Sequence, residues 1–437
     1  MRTPATRRRS TSPPPTGSTG RRDPYDSEPA PVIRADFALR HAGQLATMMP
    51  RPDDPLGRIN DGALAAHGGR VVWIGDDRDL ESQVTLDGDL LDAAGACVIP
   101  GLVDAHTHPV FAGSRADEFA ERVSGVTYRA QQSGERGIAR TVRATREADV
   151  ATLIELAAAR ANRFLANGTT TVEAKTGYGL DLDHEAKSLE VLRQLAEQTR
   201  LRVIPTFLGA HTVPPGVDRR AYVRSLIDEM LPAFRPWAVF CDAWCEASAF
   251  TAAEVRAVLG RAKELGYAIR VHAAQLAPGE GPDIAAELGA SSADHLEFAT
   301  PAQINALAKA GTVAVLCPGA NFTTHGPRPP IEAMREAKLA IAIASDLNPG
   351  TSNSESLPLA MSLACVQWGM TPAEVLAGAT VHAAHSLNLD GLAGCLRPGS
   401  FADCAVVDAE NPEAIPYYVG VNRVLQTVAG GALWEPS

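Results

Sequence analysis

The sequence has no run of eighteen consecutive apolar residues, which excludes a membrane-spanning helix of ordinary length. It has no second close cysteine pair. The seven cysteines, at 97, 241, 245, 317, 365, 395 and 404, are scattered, and only Cys241 and Cys245 stand near each other. A zinc site built from paired cysteines is therefore not expected, and free thiols buried in a reducing cytoplasm are. Basic clusters are missing from the folded part, and 40 Lys and Arg against 51 Asp and Glu leave a net charge of −11. Nucleic acid binding needs cations to neutralise phosphates, so the expected partner is a small molecule. An anionic one would need a local cation. Residues 1–31 carry six arginines but no apolar segment. That is not a secretory signal, and a disordered tail is expected, because such a segment cannot bury enough apolar surface to offset chain entropy.

What the sequence does have is length and pattern. Its 437 residues, 45% hydrophobic and 21% charged, suit a large barrel with a small second domain. Residues 32–98 hold short β-like runs and turn dipeptides, such as Val71–Gly75 and Asp61-Gly62. From 99 to 397, short apolar strands alternate with helices, the mark of βα units around a parallel sheet. Eight strands are expected near 98–106, 169–174, 202–210, 237–245, 268–274, 291–297, 312–317 and 340–346. Helix starts between them carry capping boxes, Thr251 with Glu254, Thr300 with Gln303 and Thr371 with Glu374. The helix at 149–167 stops at Gly168. Eight units predict a TIM-type (β/α)8 barrel. Residues 398–437 return to β-like runs, and the simplest arrangement pairs them with 32–98 as one composite β domain.

Chemistry concentrates at the ends of the predicted strands. Asp104-Ala105-His106-Thr107-His108 closes the first; side chains two apart on a strand share a face, so both imidazoles can reach one metal. His272 ends the fifth strand, His295 the sixth and Asp346 the eighth. A lone histidine is more often a satisfied core or loop residue. Five such residues at the catalytic end of one barrel point to a site. His106, His108, His272 and Asp346 supply donors suited to one Zn or Fe ion with a position left for water, and the metal would bring the pKa of that water to roughly 7. Asp346 and His295 are the candidates for proton transfer. His184, His325, His382 and His385 read as loop, packing or surface residues.

The strand-end pattern resembles the amidohydrolase superfamily. Some of its members carry a lysine carbamate that bridges two metals; Lys175 follows the second strand, where the resemblance implies no such bridge, so one metal is favoured. Within the superfamily, Pro100–Arg115 (PGLVDAHTHPVFAGSR), Val172–Leu182 (VEAKTGYGLDL), Thr206–Pro215 (TFLGAHTVPP), Ala293–Glu297 (ADHLE) and Ala344–Thr351 (ASDLNPGT) resemble the imidazolonepropionase family. KTGYGLD and DLNPGT are the specific segments. The resemblance implies hydrolysis of the ring lactam of 4-imidazolone-5-propanoate to N-formimino-L-glutamate in histidine degradation, by a cytoplasmic homodimer. It implies substrate contacts from Arg115, Tyr178, His211, Gln275, Asn348, Gly350 and Thr351. A guanidinium at Arg115 suits a carboxylate arm, and the Asn348–Thr351 turn can aim backbone N–H groups into the site. The sequence departs from the family in one place. An acidic residue usually follows the fifth-strand histidine closely, and here the chain reads His272-Ala273-Ala274-Gln275. A carboxamide cannot shuttle protons. The same departure counts against a nucleobase deaminase on this scaffold. A non-catalytic scaffold protein is disfavoured because all four candidate metal ligands are present.

Overall fold

The computed structural model describes residues 7–9, 33–131, 134 and 136–436. Most of the tail expected at 1–31 lies outside the described residues. Arg7–Arg9 form a short strand antiparallel to Asp89–Leu91.

Eight parallel strands follow one another in chain order around the barrel: Leu102–Asp104, Thr169–Lys175, Arg202–Ala210, Phe240–Cys245, Ala268–Ala273, Ser292–His295, Val313–Leu316 and Ile341–Ile343. The first and last meet through a parallel bridge between Thr107 and Leu347 and a 2.8 Å bond from His108 N–H to the Leu347 carbonyl. The expected first strand, 98–106, is in fact two. Cys97–Pro100 belongs to the terminal sheet, pairing antiparallel with Cys404–Val407, and only Leu102–Asp104 enters the barrel. Gly101 is the crossing point. A Cβ there would meet Thr170 Oγ1 at 2.1 Å, so only glycine lets the chain pass this close to the second barrel strand.

The helix Val150–Ala166 shows how the outer layer is held. Asp149 caps it by accepting from Thr152 N–H, and Leu153, Ala157, Ala161, Phe164 and Leu165 form its buried face. That face packs with Val172 and Ala174 of the second strand. Removing a ring buried as Phe164 is would cost about 3–5 kcal/mol. The helix stops at Gly168, whose φ is +79°. Thr427 and Asn422 then bond the Leu165 and Ala166 carbonyls, which joins the helix end to the C-terminal strand Val424–Ala429.

The terminal sheet combines both chain ends. Ile33–Ala46 lies at its centre between Arg58–His67, Val84–Asp92 and Cys97–Pro100, and Cys404–Val407 and Val424–Ala429 extend it. Its core is apolar, with Phe37, Leu39, Leu45, Leu64, Val98, Val406 and Val428 buried together. All three expected capping boxes are present. Among the described residues no helix is long and apolar enough to cross a membrane.

Candidate metal centre

The barrel interior departs from the layered Val, Ile and Leu packing usual for this architecture. Along the second strand Glu173 and Lys175 alternate with Val172 and Ala174. Along the fifth, Arg270 and His272 alternate with Ile269 and Val271, and all of them are buried. Period-two alternation puts the polar set on the inner face. Asp104, Asp242 and Asp294 join it from the first, fourth and sixth strands, each fully buried.

Above this layer the strand ends bring the imidazoles together. Ligand atoms of His106, His108 and His272 lie within 4.8 Å of one another, and so do those of His106, His295, Cys317 and Asp346. Asp346 Oδ1 is 3.5 Å from His106 Nε2 and 3.6 Å from His108 Nε2. Three backbones here take left-handed values, Ala274 (φ 50°), His295 (φ 79°) and Asp346 (φ 50°). Such conformations cost of order 1–3 kcal/mol each in non-glycine residues and gather at functional sites.

Carboxylates orient the imidazoles from below. His106 Nδ1 is 2.6 Å from Asp294 Oδ2, and His272 Nδ1 is 2.9 Å from Asp242 Oδ2. That leaves His106 Nε2 facing the centre, the arrangement by which a metal-binding imidazole is fixed. His106 Nε2 is buried with no hydrogen-bond partner among the described residues. Burial pushes His106, His108 and His295 well below the ordinary imidazole range, so they are neutral and offer lone pairs. Burial also drives Asp346 well above the usual carboxylate range, a direction that a neighbouring cation reverses. An orphaned imidazole nitrogen and a buried carboxylate are what a divalent cation satisfies, so the residues present fit one.

Arg115, Tyr178, His211, Gln275, Asn348 and Thr351 line one small cavity with His272, His295 and Asp346, and its volume is about 30 Å³. Gly350 does not line it. It lies behind Arg115, where a Cβ would meet Arg115 Nη1 at 2.4 Å, beside a neighbouring cavity of about 580 Å³. Arg115 is 5% exposed. Its Nε bonds Glu118 at 2.7 Å, and its Nη2 is buried without a partner among the described residues. The Gly177–Leu180 loop is tightly turned, because the buried Glu185 carboxylate accepts from Gly177, Gly179 and Leu180 N–H. His211 Nδ1 sits 2.9 Å from the Gly177 carbonyl, its ring stacks on His108 at 5.4 Å, and burial pushes its pKa down to about 4. The expectation that the Asn348–Thr351 turn aims free N–H groups into the site is corrected. Gly350 and Thr351 N–H donate to Asn348 Oδ1 at 2.8 and 2.7 Å, so the turn satisfies itself.

Several lining or supporting residues escaped the sequence reading. Tyr128 and Trp244 line the cavity. Glu246 holds the Gln275 segment by accepting from Gln275 and Leu276 N–H at 2.9 and 2.8 Å. For Asp242 a signal existed, a lone charge inside the buried run Phe240–Cys245. Tyr128 has none, since it arrives on a segment between the first two strands.

A parallel barrel with imidazoles and a carboxylate gathered at its strand ends defines a class of enzyme, the metal-dependent hydrolases, and the amidohydrolase family pattern matches residues 97–433. Imidazolonepropionase of Symbiobacterium thermophilum is 43% identical over 411 residues, covering 91% of this chain and 97% of the relative. That of Ralstonia nicotianae is 42% identical over 405 residues, covering 92% and 98%. The chain belongs to the amidohydrolase family and, within it, to the imidazolonepropionases. Solved structures share the fold at low identity. A zinc-bound adenosine deaminase from Xanthomonas campestris superimposes with a TM-score of 0.69 at 18% identity, over 92% of this chain and 93% of that one. The guanine deaminase of E. coli gives 0.70 at 18%, over 92% and 99%.

Proposed function

We propose that this protein hydrolyses the ring lactam bond of 4-imidazolone-5-propanoate, releasing N-formimino-L-glutamate, with one zinc or iron ion held by His106, His108, His272 and Asp346. The observation that carries the reading is the shared cavity: Arg115, held by Glu118 through Nε, keeps an Nη2 with no partner among the described residues, and it lines the same space as His272, His295 and Asp346. A buried donor without an acceptor is costly, and the propionate arm of this substrate supplies one. When bound, the metal contributes Lewis-acid activation of water and carbonyl oxygen.

The remaining work falls to the chain. Asp346 accepts the proton of the attacking water. The carbonyl carbon gains the water oxygen, its bond to the ring nitrogen breaks, and the proton that Asp346 took passes to the departing nitrogen, relayed by His295. Gln275 takes no part in that traffic, since a carboxamide does not ionise; it offers hydrogen bonds to the ring. Tyr178, His211, Asn348 and Thr351 enclose the substrate and exclude water. A cavity of about 30 Å³ holds about one water, so admitting the substrate requires its lining to move apart. The same reading places the enzyme in a reducing cytoplasm as a homodimer, which the seven free cysteines support for the compartment. Incubating purified protein with imidazolonepropionate should yield formiminoglutamate. Ammonia release from nucleobases, with no formiminoglutamate, would overturn the assignment.

A further inference from the structure

Beneath the imidazoles lies a second donor set, which shares His272 with the proposed metal centre and otherwise lies outside it. Ligand atoms of Asp242, His272 and Asp294 fall within 4.8 Å of one another, and all three residues are buried. Two carboxylates and an imidazole at this spacing suit a divalent cation. Their carboxylates already have a cation. Lys175 Nζ is 2.7 Å from Asp242 Oδ2, 2.8 Å from Glu173 Oε1 and 3.6 Å from Asp294 Oδ2. All four side chains are fully buried.

We infer that the Lys175 ammonium is a built-in cation standing where a second divalent metal would sit, and that it limits the barrel to one. The inference rests on the metal centre proposed above. The oxygens it holds are the ones that orient the ligand imidazoles. Asp242 Oδ2 lies between Lys175 Nζ and His272 Nδ1, at 2.7 and 2.9 Å. Asp294 Oδ2 faces His106 Nδ1 at 2.6 Å. A second metal on these oxygens would take them from the imidazoles and place two divalent charges side by side. An ammonium carries half the charge, donates hydrogen bonds to Glu173 and Asp242 and leaves the imidazole partners in place. Arg270 closes the far side of the cluster, with Nη2 3.5 Å from Asp294 Oδ2 and Nε 3.7 Å from Glu173 Oε1. The position follows from the sequence. Lys175 is the last residue of its strand, two after Glu173, so both point inward.

The test is metal counting by plasma mass spectrometry after dialysis against excess zinc or manganese, on the wild type and Lys175→Ala. The wild type should hold one ion per chain even in excess metal, and Lys175→Ala two, a doubling. Lys175→Arg should restore one. A wild type with no metal would sink the metal-centre reading itself. A wild type holding two, or a folded Lys175→Ala holding one, would overturn this inference alone. Should Lys175→Ala be unstable, its melting temperature decides. Added zinc or manganese must raise it more than it raises that of the wild type, because a metal bound only by the folded state stabilises it. If excess metal fails to do so, the cluster is no latent cation site and the inference falls.

Discussion

The inside of the barrel and its outer helical shell both carry ion pairs, and by length they are alike. Lys175 and Asp242 meet at 2.7 Å within the barrel, and Arg335 and Glu374 at 2.7 Å on the outside. Their surroundings differ completely. The inner side chains are 0% exposed, the outer ones 35% and 33%. In water such a pair gains little, because solvent screens the charges and two long side chains lose freedom, so exposed pairs contribute about 0.2–1 kcal/mol. Inside, each ion has given up its hydration, and the attraction need not exceed that cost. A well-packed apolar layer would fill the barrel as well or better. The inner pairs therefore make sense as placement, holding Asp242 and Asp294 under the imidazoles, and distance alone is no guide to what an ion pair does.

Breaking the inner set should show the largest effect. Asp242→Ala leaves Lys175 short of a carboxylate and His272 without its partner. Removing one member of a buried pair costs roughly 3–5 kcal/mol, and losing a supporting carboxylate lowers metal affinity roughly 10–100-fold. Denaturant unfolding and metal titration measure the two separately. A variant as stable as the wild type with unchanged metal affinity would mean that the inner charges place nothing.

One layer up, His295→Ala should keep the metal and lower kcat by about 10²–10⁴-fold, the usual worth of general acid–base help. Loss of the metal instead would make His295 a ligand. At the cavity wall, Arg115→Ala should retain metal and fold while kcat/KM for imidazolonepropionate drops. A charge-assisted hydrogen bond is worth about 1.5–3 kcal/mol, roughly 10–150-fold. Arg115→Lys should fall between, since an ammonium cannot reproduce the fork of a guanidinium. Unchanged kcat/KM in Arg115→Ala would assign the anionic arm to another residue.

How much of this was legible beforehand depends on whether the signal was local. The helix starts at Thr251, Thr300 and Thr371 were readable because a capping box lies within four residues. The strand-end residues His106, His108, His272, His295 and Asp346 were readable because each closes a short apolar run. The inner charge layer was written just as plainly, at period two in Glu173 and Lys175 and again in Arg270 and His272. Its meaning was not local. Lys175 and Asp242 are 67 residues apart, and only closure of the barrel brings them together, so Lys175 read as an incidental residue after a strand. Gly101 shows the converse. The apolar run across 97–104 looks continuous in one dimension, and the break becomes visible only when Thr170 is known to stand against it.

The outer pair gives the smallest and most discriminating prediction. Glu374 serves twice, accepting from Arg335 at 2.7 Å and from Thr371 N–H at 2.7 Å within the capping box of the helix Pro372–Gly378. Arg335 beside it pushes its pKa down to about 2 from an ordinary 4.5. A carboxylate whose pKa falls on folding contributes stability above its unfolded value and loses that contribution as pH drops toward the folded one. Glu374→Gln should therefore be less stable than the wild type near neutrality by no more than about 1 kcal/mol, and the gap should close as pH falls from about 4.5 toward 2. Raising salt should narrow it as well, because the pair is exposed and screened. Metal content and kcat should not change. Thermal melts of the two proteins at a series of pH values read the effect directly. A gap that persists unchanged at the acid end, or one as large as that of Asp242→Ala, would mean that the outer pair is structural in the way the inner one is, and that burial does not separate the two regions.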